Sequence, residues 1–247
     1  MNNFKLRLLL IGAACVVLNS CGLDMFYTVN PPLSIIENIP YSDTTDRTKQ
    51  YISFRTDVTP DTGDFKFLGT EIYYKIYSDE ATLKSHISSI EAVNTSSNYG
   101  GATARLLGLD YRPLECSPDI STPLIKASVY PAAADIKIRL TSYMKDNPEF
   151  MPYIMVNNVK IGEPRREGNK NAFDFGREPE KRNELFAIPG TVGSEKDFTG
   201  SSTSRMYYIN LYAFCVGRDA TYTNYYSQVL HLGTIPVDMD QVWPASD

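Results

Sequence analysis

Alternation of apolar and polar residues is the main pattern of this chain, and it predicts a series of β-strands. Residues 67–77 show the alternation over the longest distance, and residues 50–57 repeat it. The apolar run at residues 33–36 predicts an earlier strand. The apolar face of the longest strand is formed by Ile72, Tyr74 and Ile76.

A helix is predicted after the longest strand, because the apolar spacing changes at residue 78. Leu83, Ile87 and Ile90 recur at three- and four-residue intervals, which is the spacing of one helix face. Ser78 is the predicted N-cap of this helix. The polar run at residues 95–101, which contains two glycines, is predicted to end it.

The middle of the chain has weaker strand patterns, followed by a polar stretch. Strands are predicted at residues 104–110, 123–130, 135–143 and 153–161. Residues 162–183, together with Glu184, contain six basic and six acidic side chains, including the doublet Arg165 and Arg166. A neutral run of this kind is typical of a solvated insertion rather than of a nucleic-acid contact.

The chain ends with two further predicted strands joined by a loop. The core-facing side chains of the first are Tyr207, Ile209, Leu211, Ala213 and Cys215. The apolar side of the second is supplied by Leu230, Leu232 and Ile235.

The first 21 residues have the organisation of an export signal. Lys5 and Arg7 precede an apolar run at residues 8–18 that is too short to span a bilayer. The tetrad Leu18-Asn19-Ser20-Cys21 resembles the lipobox of bacterial lipoproteins. The resemblance implies that residues 1–20 are cleaved and that Cys21 carries diacylglyceryl and further acyl chains such as palmitate. The alternatives are an ordinary secretory signal and an uncleaved anchor.

The residues next to Cys21 indicate which bacteria the protein resembles and which membrane would hold it. Asn19 stands where a small residue is usual, and looser boxes of this sort are known in spirochaetal lipoproteins. Gly22 after the cysteine, in place of Asp, favours the outer membrane over the inner one, with the leaflet undetermined. Residues 21–30 form a predicted lipidated tether that reaches about 30 Å at most, so the domain is expected close to the bilayer.

Composition limits the domain count and the partners. Removal of residues 1–20 leaves 227 residues, enough for a hydrophobic core. Because Lys5 and Arg7 leave with the signal, 22 basic residues remain against 29 acidic ones, a net charge of −7 that disfavours nucleic acid. Seventeen tyrosines together with the strand patterns indicate a mainly β protein.

One motif resembles a known family of β domains. Tyr207, Ile209, Leu211 and Ala213 match the Tyr-x-hydrophobic-x-Val-x-Ala signature of strand F in fibronectin type III domains. Residues 67–77 look like strand C of that family, and residues 227–234 look like strand G. The resemblance implies an immunoglobulin-like antiparallel sandwich.

Two departures from the family pattern shape the predicted domain. The usual tryptophan of strand B is absent, and Phe54 is the nearest substitute. Between Tyr77 and Tyr207 there are 129 residues, far more than a plain sandwich needs. We therefore expect a single domain at residues 31–247, interrupted by an α+β insertion at about residues 79–203.

Aromatic side chains supply the candidate partner-binding residues. If the strands that resemble C and F pair, five aromatics share one outer face: Tyr73, Tyr77, Tyr208, Tyr212 and Phe214. This face is either a recognition surface for protein or glycan, or the floor on which the predicted helix packs. A second cluster, in the loop before the last strand, is the preferred binding edge and consists of Tyr222, Tyr225 and Tyr226.

Other side chains give little indication of chemistry. Cys116 and Cys215 either form a disulfide that fastens the insertion to a strand or remain as two buried thiols. His86 and His231 are too few for a multi-histidine metal site, and no cofactor is expected beyond the lipid. No catalytic or nucleotide-binding motif occurs, and the carboxylate pair Glu178 and Glu180 lies within the neutral polar run.

These observations predict a non-enzymatic lipoprotein that binds an envelope protein or serves as a scaffold near the membrane. A surface adhesin for host protein or glycan is the first alternative, and an envelope hydrolase is the second. Protease accessibility on intact cells separates the first two. A deep cleft between two carboxylates with raised pKa values would favour the hydrolase.

Overall fold

The computed structural model describes residues 27–38, 51–141, 151–168, 171–176, 184–191 and 195–239. Within these ranges the fold is mainly β, with two largely antiparallel sheets and two α-helices. The predicted export signal with Cys21 lies outside the described residues, as does the pair Glu178 and Glu180.

In chain order the elements are β1 (Leu33–Asn38), β2 (Ile52–Arg55), β3 (Phe65–Tyr77), α1 (Glu80–Glu91), α2 (Gly101–Gly108), β4 (Arg112–Pro113), β5 (Glu115–Ser117), β6 (Ile125–Lys126), β7 (Asp135–Arg139), β8 (Tyr153–Val156), β9 (Val159–Arg165), a 3₁₀ turn (Glu184–Phe186), β10 (Phe198–Thr199), β11 (Met206–Asp219), β12 (Asn224–Tyr226) and β13 (Leu230–Asp238). The first sheet has the order β1-β2-β7-β8-β9-β5. The second has the order β10-β3-β11-β12, with β13 also paired to β11, and with β4 and β6 paired to β3. Among these pairs only β10 with β3 is parallel.

The apolar faces of β3 and β11 form a core that both sheets share. These strands pair antiparallel from Phe65 opposite Asp219 to Tyr77 opposite Tyr208. Facing them are side chains of the first sheet, including Phe54, Ile136 and Ile154, each 0% exposed. The predicted core-facing side chains of the two strands are each at most 1% exposed: Ile72, Tyr74, Ile76, Tyr207, Ile209, Leu211, Ala213 and Cys215. All but Cys215, which belongs to a separate cluster, lie in the shared core. The alternation therefore predicted these faces correctly.

Helices α1 and α2 cover the opposite face of β3 and β11. Leu83 and Ile90 of α1 and Leu106 of α2 are at most 4% exposed and belong to one cluster with aromatic residues of both strands. The N-cap of α1 is Asp79, whose Oδ2 accepts a hydrogen bond from the Thr82 amide at 2.7 Å. Ser78, the predicted cap, instead accepts from the amide of Ser201.

Two strand predictions in the middle of the chain are wrong. Residues 104–110, predicted as a strand, lie largely in α2, where Ala102, Thr103 and Leu106 recur at helical spacing and are buried. Residues 153–161, predicted as one strand, form the β8–β9 hairpin. Asn157 and Asn158 make its turn with φ values of 51° and 64°, the left-handed conformation that two-residue hairpins require.

The described parts of the polar run, residues 162–168 and 171–176, are not the predicted solvated segment. Strand β9 extends to Arg165 and pairs with β5 in the first sheet. Phe173 and Phe175 are 0% exposed and lie in the shared core. The predicted insertion at about 79–203 contains β5, β7, β8 and β9 of the first sheet.

The last four residues of the predicted tether, 27–30, pack against the fold. The ring of Tyr27 stacks on Phe65 with centroids 5.0 Å apart and contacts Tyr225 edge-on at 5.3 Å. Val29 is 1% exposed, and the amide of Asn30 donates to a side chain of the β2–β3 connection.

Truncation of Phe173 tests the revised role of the polar run. Phe173→Ala should lower the free energy of unfolding by about 3–5 kcal/mol, because it leaves a cavity in the shared core. The control is Ile120→Ala at a side chain that is 51% exposed, where the change should stay within about 0.5 kcal/mol. Urea denaturation followed by circular dichroism measures both. If both variants lost the same small amount of unfolding free energy, Phe173 would not be a core residue.

Candidate functional site

A charged cleft lies where β4, the end of β9 and the segment before β10 meet. Its volume is about 320 Å³. Strand β4 is placed by its pairing with β3, in which Arg112 lies opposite Tyr74. The segment before β10 is held by the amide of Ile76, which donates to the carbonyl of Asp197 at 2.8 Å. The lining residues are Arg112, Arg166, Glu167, Asn171, Glu195, Lys196 and Asp197.

A buried ion pair between Arg166 and Asp197 forms the floor of the cleft. Nε of Arg166 donates to Oδ2 of Asp197, and Nη2 donates to Oδ1, both at 2.8 Å. The two side chains are only 2% and 8% exposed. A two-bonded geometry of this kind fixes the guanidinium plane against the carboxylate.

Tyr74 connects this ion pair to the centre of the fold. Its hydroxyl donates to Oδ2 of Asp197 at 2.7 Å and accepts from the amide of Glu167 at 2.9 Å. Burial, and next the charge of Asp197, raise the pKa of Tyr74 well above its ordinary value. The phenol therefore stays protonated and acts as a hydrogen-bond donor to the carboxylate.

Glu195 completes the buried charge cluster. Its Oε2 accepts from Nη2 of Arg166 at 2.8 Å and from the amide of Gly190 at 2.7 Å. Its Oε1, like Nη1 of Arg166, is buried and has no hydrogen-bond partner in the part of the chain that the structure describes. Two residues that line the cleft thus contain one buried donor and one buried acceptor that are unpaired within the described ranges.

The electrostatics of the cluster keep Asp197 ionised. Burial acts to raise its pKa, but the hydrogen bonds and charge of Arg166 outweigh it, so the pKa lies below the ordinary value. Burial likewise opposes the charged form of Arg166, and the carboxylate of Asp197 raises its pKa nonetheless. A carboxylate held in this state is a poor proton donor near neutral pH.

Other charged residues surround the mouth of the cleft. Nε of Arg112 lies 3.5 Å from Oε2 of Glu167, and its Nη2 donates to Oδ1 of Asp110 at 2.9 Å. Beneath the rim, Lys75 is 3% exposed and its ammonium donates to the carbonyl of Lys196 at 3.2 Å. Burial lowers the pKa of Lys75.

The five-aromatic face is not an exposed recognition surface. Tyr77 is 0% exposed, and Tyr212 and Phe214 are each 1% exposed, because α1 and α2 lie over them. Tyr73 and Tyr208 pack at the margin of the same cluster, partly buried. The helices therefore pack on this face, which is the second of the two alternatives that the sequence left open.

The second aromatic cluster is divided by the fold. Tyr222 is 81% exposed. Tyr225 instead packs with Tyr27 and Phe65, and Tyr226 contacts Phe214 edge-on at 5.8 Å. These three tyrosines therefore do not form one patch: Tyr222 is exposed, whereas Tyr225 and Tyr226 are partly buried against different neighbours.

The two internal cysteines are not bridged in the structure. Both are free and buried. Cys116 lies in the core shared by the sheets, whereas Cys215 belongs to a separate cluster and contacts the hydroxyl of Thr70 at 3.3 Å. Burial raises the pKa of Cys116 to about 11 and that of Cys215 to about 12, so both remain thiols at neutral pH.

The two histidines belong to a chain of side-chain hydrogen bonds beneath the helices. Nε2 of His231 donates to Oδ1 of Asn210 at 2.6 Å, and Nδ2 of Asn210 donates to the hydroxyl of Tyr111. The Tyr77 hydroxyl donates to that of Tyr111 and lies 3.0 Å from Nδ1 of His86. The described ranges contain no group of three residues arranged to hold a metal ion.

The residues of the cleft were not identified from the sequence. Arg166 was noted only as part of a doublet in a neutral run, and its partners lie 29 and 31 positions further along the chain. Tyr74 was assigned correctly to the core face, yet its hydroxyl reaches the edge of the sheet. No pattern in the sequence links these distant positions.

Comparison with protein-family models, with curated proteins and with solved structures found no match. None of the described helices has the length and apolar character to cross a bilayer.

The pKa of His231 leads to a prediction about stability and pH. Burial lowers this pKa from 6.5 to about 4. Below pH 6.5 the unfolded chain therefore binds a proton that the folded chain does not, and stability falls as the pH drops towards 4. Between pH 7 and pH 4 the wild-type protein should lose up to about 3 kcal/mol more than His231→Gln, as measured by urea denaturation. Parallel pH profiles for the two proteins would contradict this assignment.

Proposed function

We propose that this protein is a bacterial lipoprotein, anchored through acyl chains on Cys21, with a non-catalytic domain that binds an envelope protein or serves as a scaffold near the bilayer. The domain is proposed to be a sandwich of the fibronectin type III or immunoglobulin kind. In support of that fold, β13 and β3 flank β11, which is the neighbour order of strands G, F and C in that family.

The observation that carries the proposal is the docking of the chain directly behind the predicted lipidation site. Tyr27 and Val29 already pack against the fold, so only residues 22–26 separate Cys21 from a fixed point. Six peptide units extend to about 20 Å at most. A lipid on Cys21 would therefore keep the domain against the membrane surface, within reach of a neighbouring membrane protein.

The state of the cleft supports binding over hydrolysis. A two-carboxylate hydrolase needs one carboxyl with a raised pKa to donate a proton. In this cleft Asp197 has a lowered pKa because Arg166 holds its carboxylate, and Glu195 shares the same guanidinium. The arrangement is suited to holding polar groups in place.

The lipid anchor is tested with two cysteine substitutions in the full chain. Cys21→Ser should abolish labelling by radioactive palmitate and move the protein from the membrane to the soluble fraction, because the acylated thiol is lost. Cys15→Ser, within the predicted signal, is the matched control and should leave both properties unchanged. Palmitate labelling or membrane retention of Cys21→Ser would contradict the anchor.

The same strains test the binding role. Cross-linking in intact cells should give a discrete species containing a second protein with the wild-type chain and with Cys15→Ser, and it should lose that species with Cys21→Ser. Absence of any cross-linked species with the wild-type chain would contradict a protein-binding role.

A further inference from the structure

Two residues that line the cleft, Arg166 and Glu195, each have a buried polar atom without a hydrogen-bond partner in the described part of the chain. Nη1 of Arg166 has no acceptor, and Oε1 of Glu195 has no donor, within the described ranges. The side chains of these residues are 2% and 10% exposed, and both line the cleft. Buried polar groups in folded proteins are usually paired, so these two atoms indicate where a ligand would form hydrogen bonds.

The charges of the lining residues restrict what that ligand can be. The cleft is lined by three cationic side chains, Arg112, Arg166 and Lys196, and by three carboxylates, Glu167, Glu195 and Asp197. A simple anion would meet the three carboxylates, and a simple cation would meet the three cations. A ligand that carries both charges can place each one against the opposite sign.

The size of the cleft also favours a small molecule. A volume of about 320 Å³ is at the lower end of the range for small-molecule sites. The open donor and the open acceptor belong to two side chains that are bonded to each other at 2.8 Å. That bond joins Nη2 to Oε2, so a single small ligand with one acceptor and one donor can serve both side chains.

From this geometry we propose that the cleft binds a small zwitterion of the amino-acid type. The ligand carboxylate accepts from Nη1 of Arg166, and the adjacent ammonium donates to Oε1 of Glu195. Charge-assisted hydrogen bonds of this kind are about twice as strong as neutral ones, which favours a zwitterion over a neutral amide. The proposal is independent of the lipid on Cys21.

Calorimetric titration of the full chain in detergent tests this site. The probes are the common free amino acids, each titrated singly at neutral pH. At least one should bind with a dissociation constant below about 1 mM. Its N-acetyl derivative, which lacks the ammonium, and its amide, which lacks the carboxylate, should each bind at least about tenfold more weakly.

A pair of isosteric variants locates the binding. Glu195→Gln keeps the shape of the side chain but removes the charge that faces the ammonium, and it should weaken binding at least about tenfold. Glu80→Gln removes an equivalent charge from the exposed first turn of α1, where Glu80 pairs with Lys84, and it should leave binding unchanged. Circular dichroism checks the fold of each variant.

Three outcomes would overturn the proposal: no binding of any amino acid below about 1 mM, a loss of less than tenfold with either derivative, or unchanged binding by a folded Glu195→Gln. If Glu195→Gln fails to fold, the derivative series alone decides, since it uses the wild-type protein. Loss of anchoring in Cys21→Ser would not affect any of these results.

Discussion

Strands β3 and β11 pair over twelve positions, and the other parts of the described fold are placed by this ladder. One face of the ladder, with Ile72 and Leu211, closes the core shared with the first sheet. The opposite face, with Tyr77 and Tyr212, is covered by α1 and α2. Because the two strands are far apart in sequence, the segment between them must return across the molecule, and in doing so it supplies both the helices and most of the first sheet.

The cleft forms where this returning segment is fastened back onto β3. Arg166 follows β9 of the first sheet, and Asp197 precedes β10 of the second sheet. Their ion pair thus joins segments from the two sheets, and the hydroxyl of Tyr74 ties it to the central ladder. Burying these charges is costly, and the cost is offset only because the guanidinium and the carboxylates are paired with one another. The same burial leaves Nη1 of Arg166 and Oε1 of Glu195 without a partner among the described residues.

Local sequence patterns predicted the central strands and the first helix. An element that buries one face has apolar residues at regular intervals along the sequence. The predictions were wrong where a short motif interrupted a longer sequence pattern. Asn157 and Asn158 turn the chain within a run that otherwise alternates like a single strand. Phe173 and Phe175 are surrounded by charges that suggested a solvated segment. The cleft could not be predicted from the sequence, because its charge pairs join residues that are far apart along the chain. Only the tertiary fold brings these residues together.

The central claim is that the buried pair of Arg166 and Asp197 fastens the segment between the two long strands to the framework, and a double-mutant cycle tests it most directly. By urea denaturation, Arg166→Met alone should cost about 3–5 kcal/mol, because it leaves the carboxylate of Asp197 buried without its partner. Asp197→Leu alone should also be costly, whereas the double variant should lose less than the sum of the two, by at least about 1 kcal/mol. Additive effects of the two substitutions would contradict the claim.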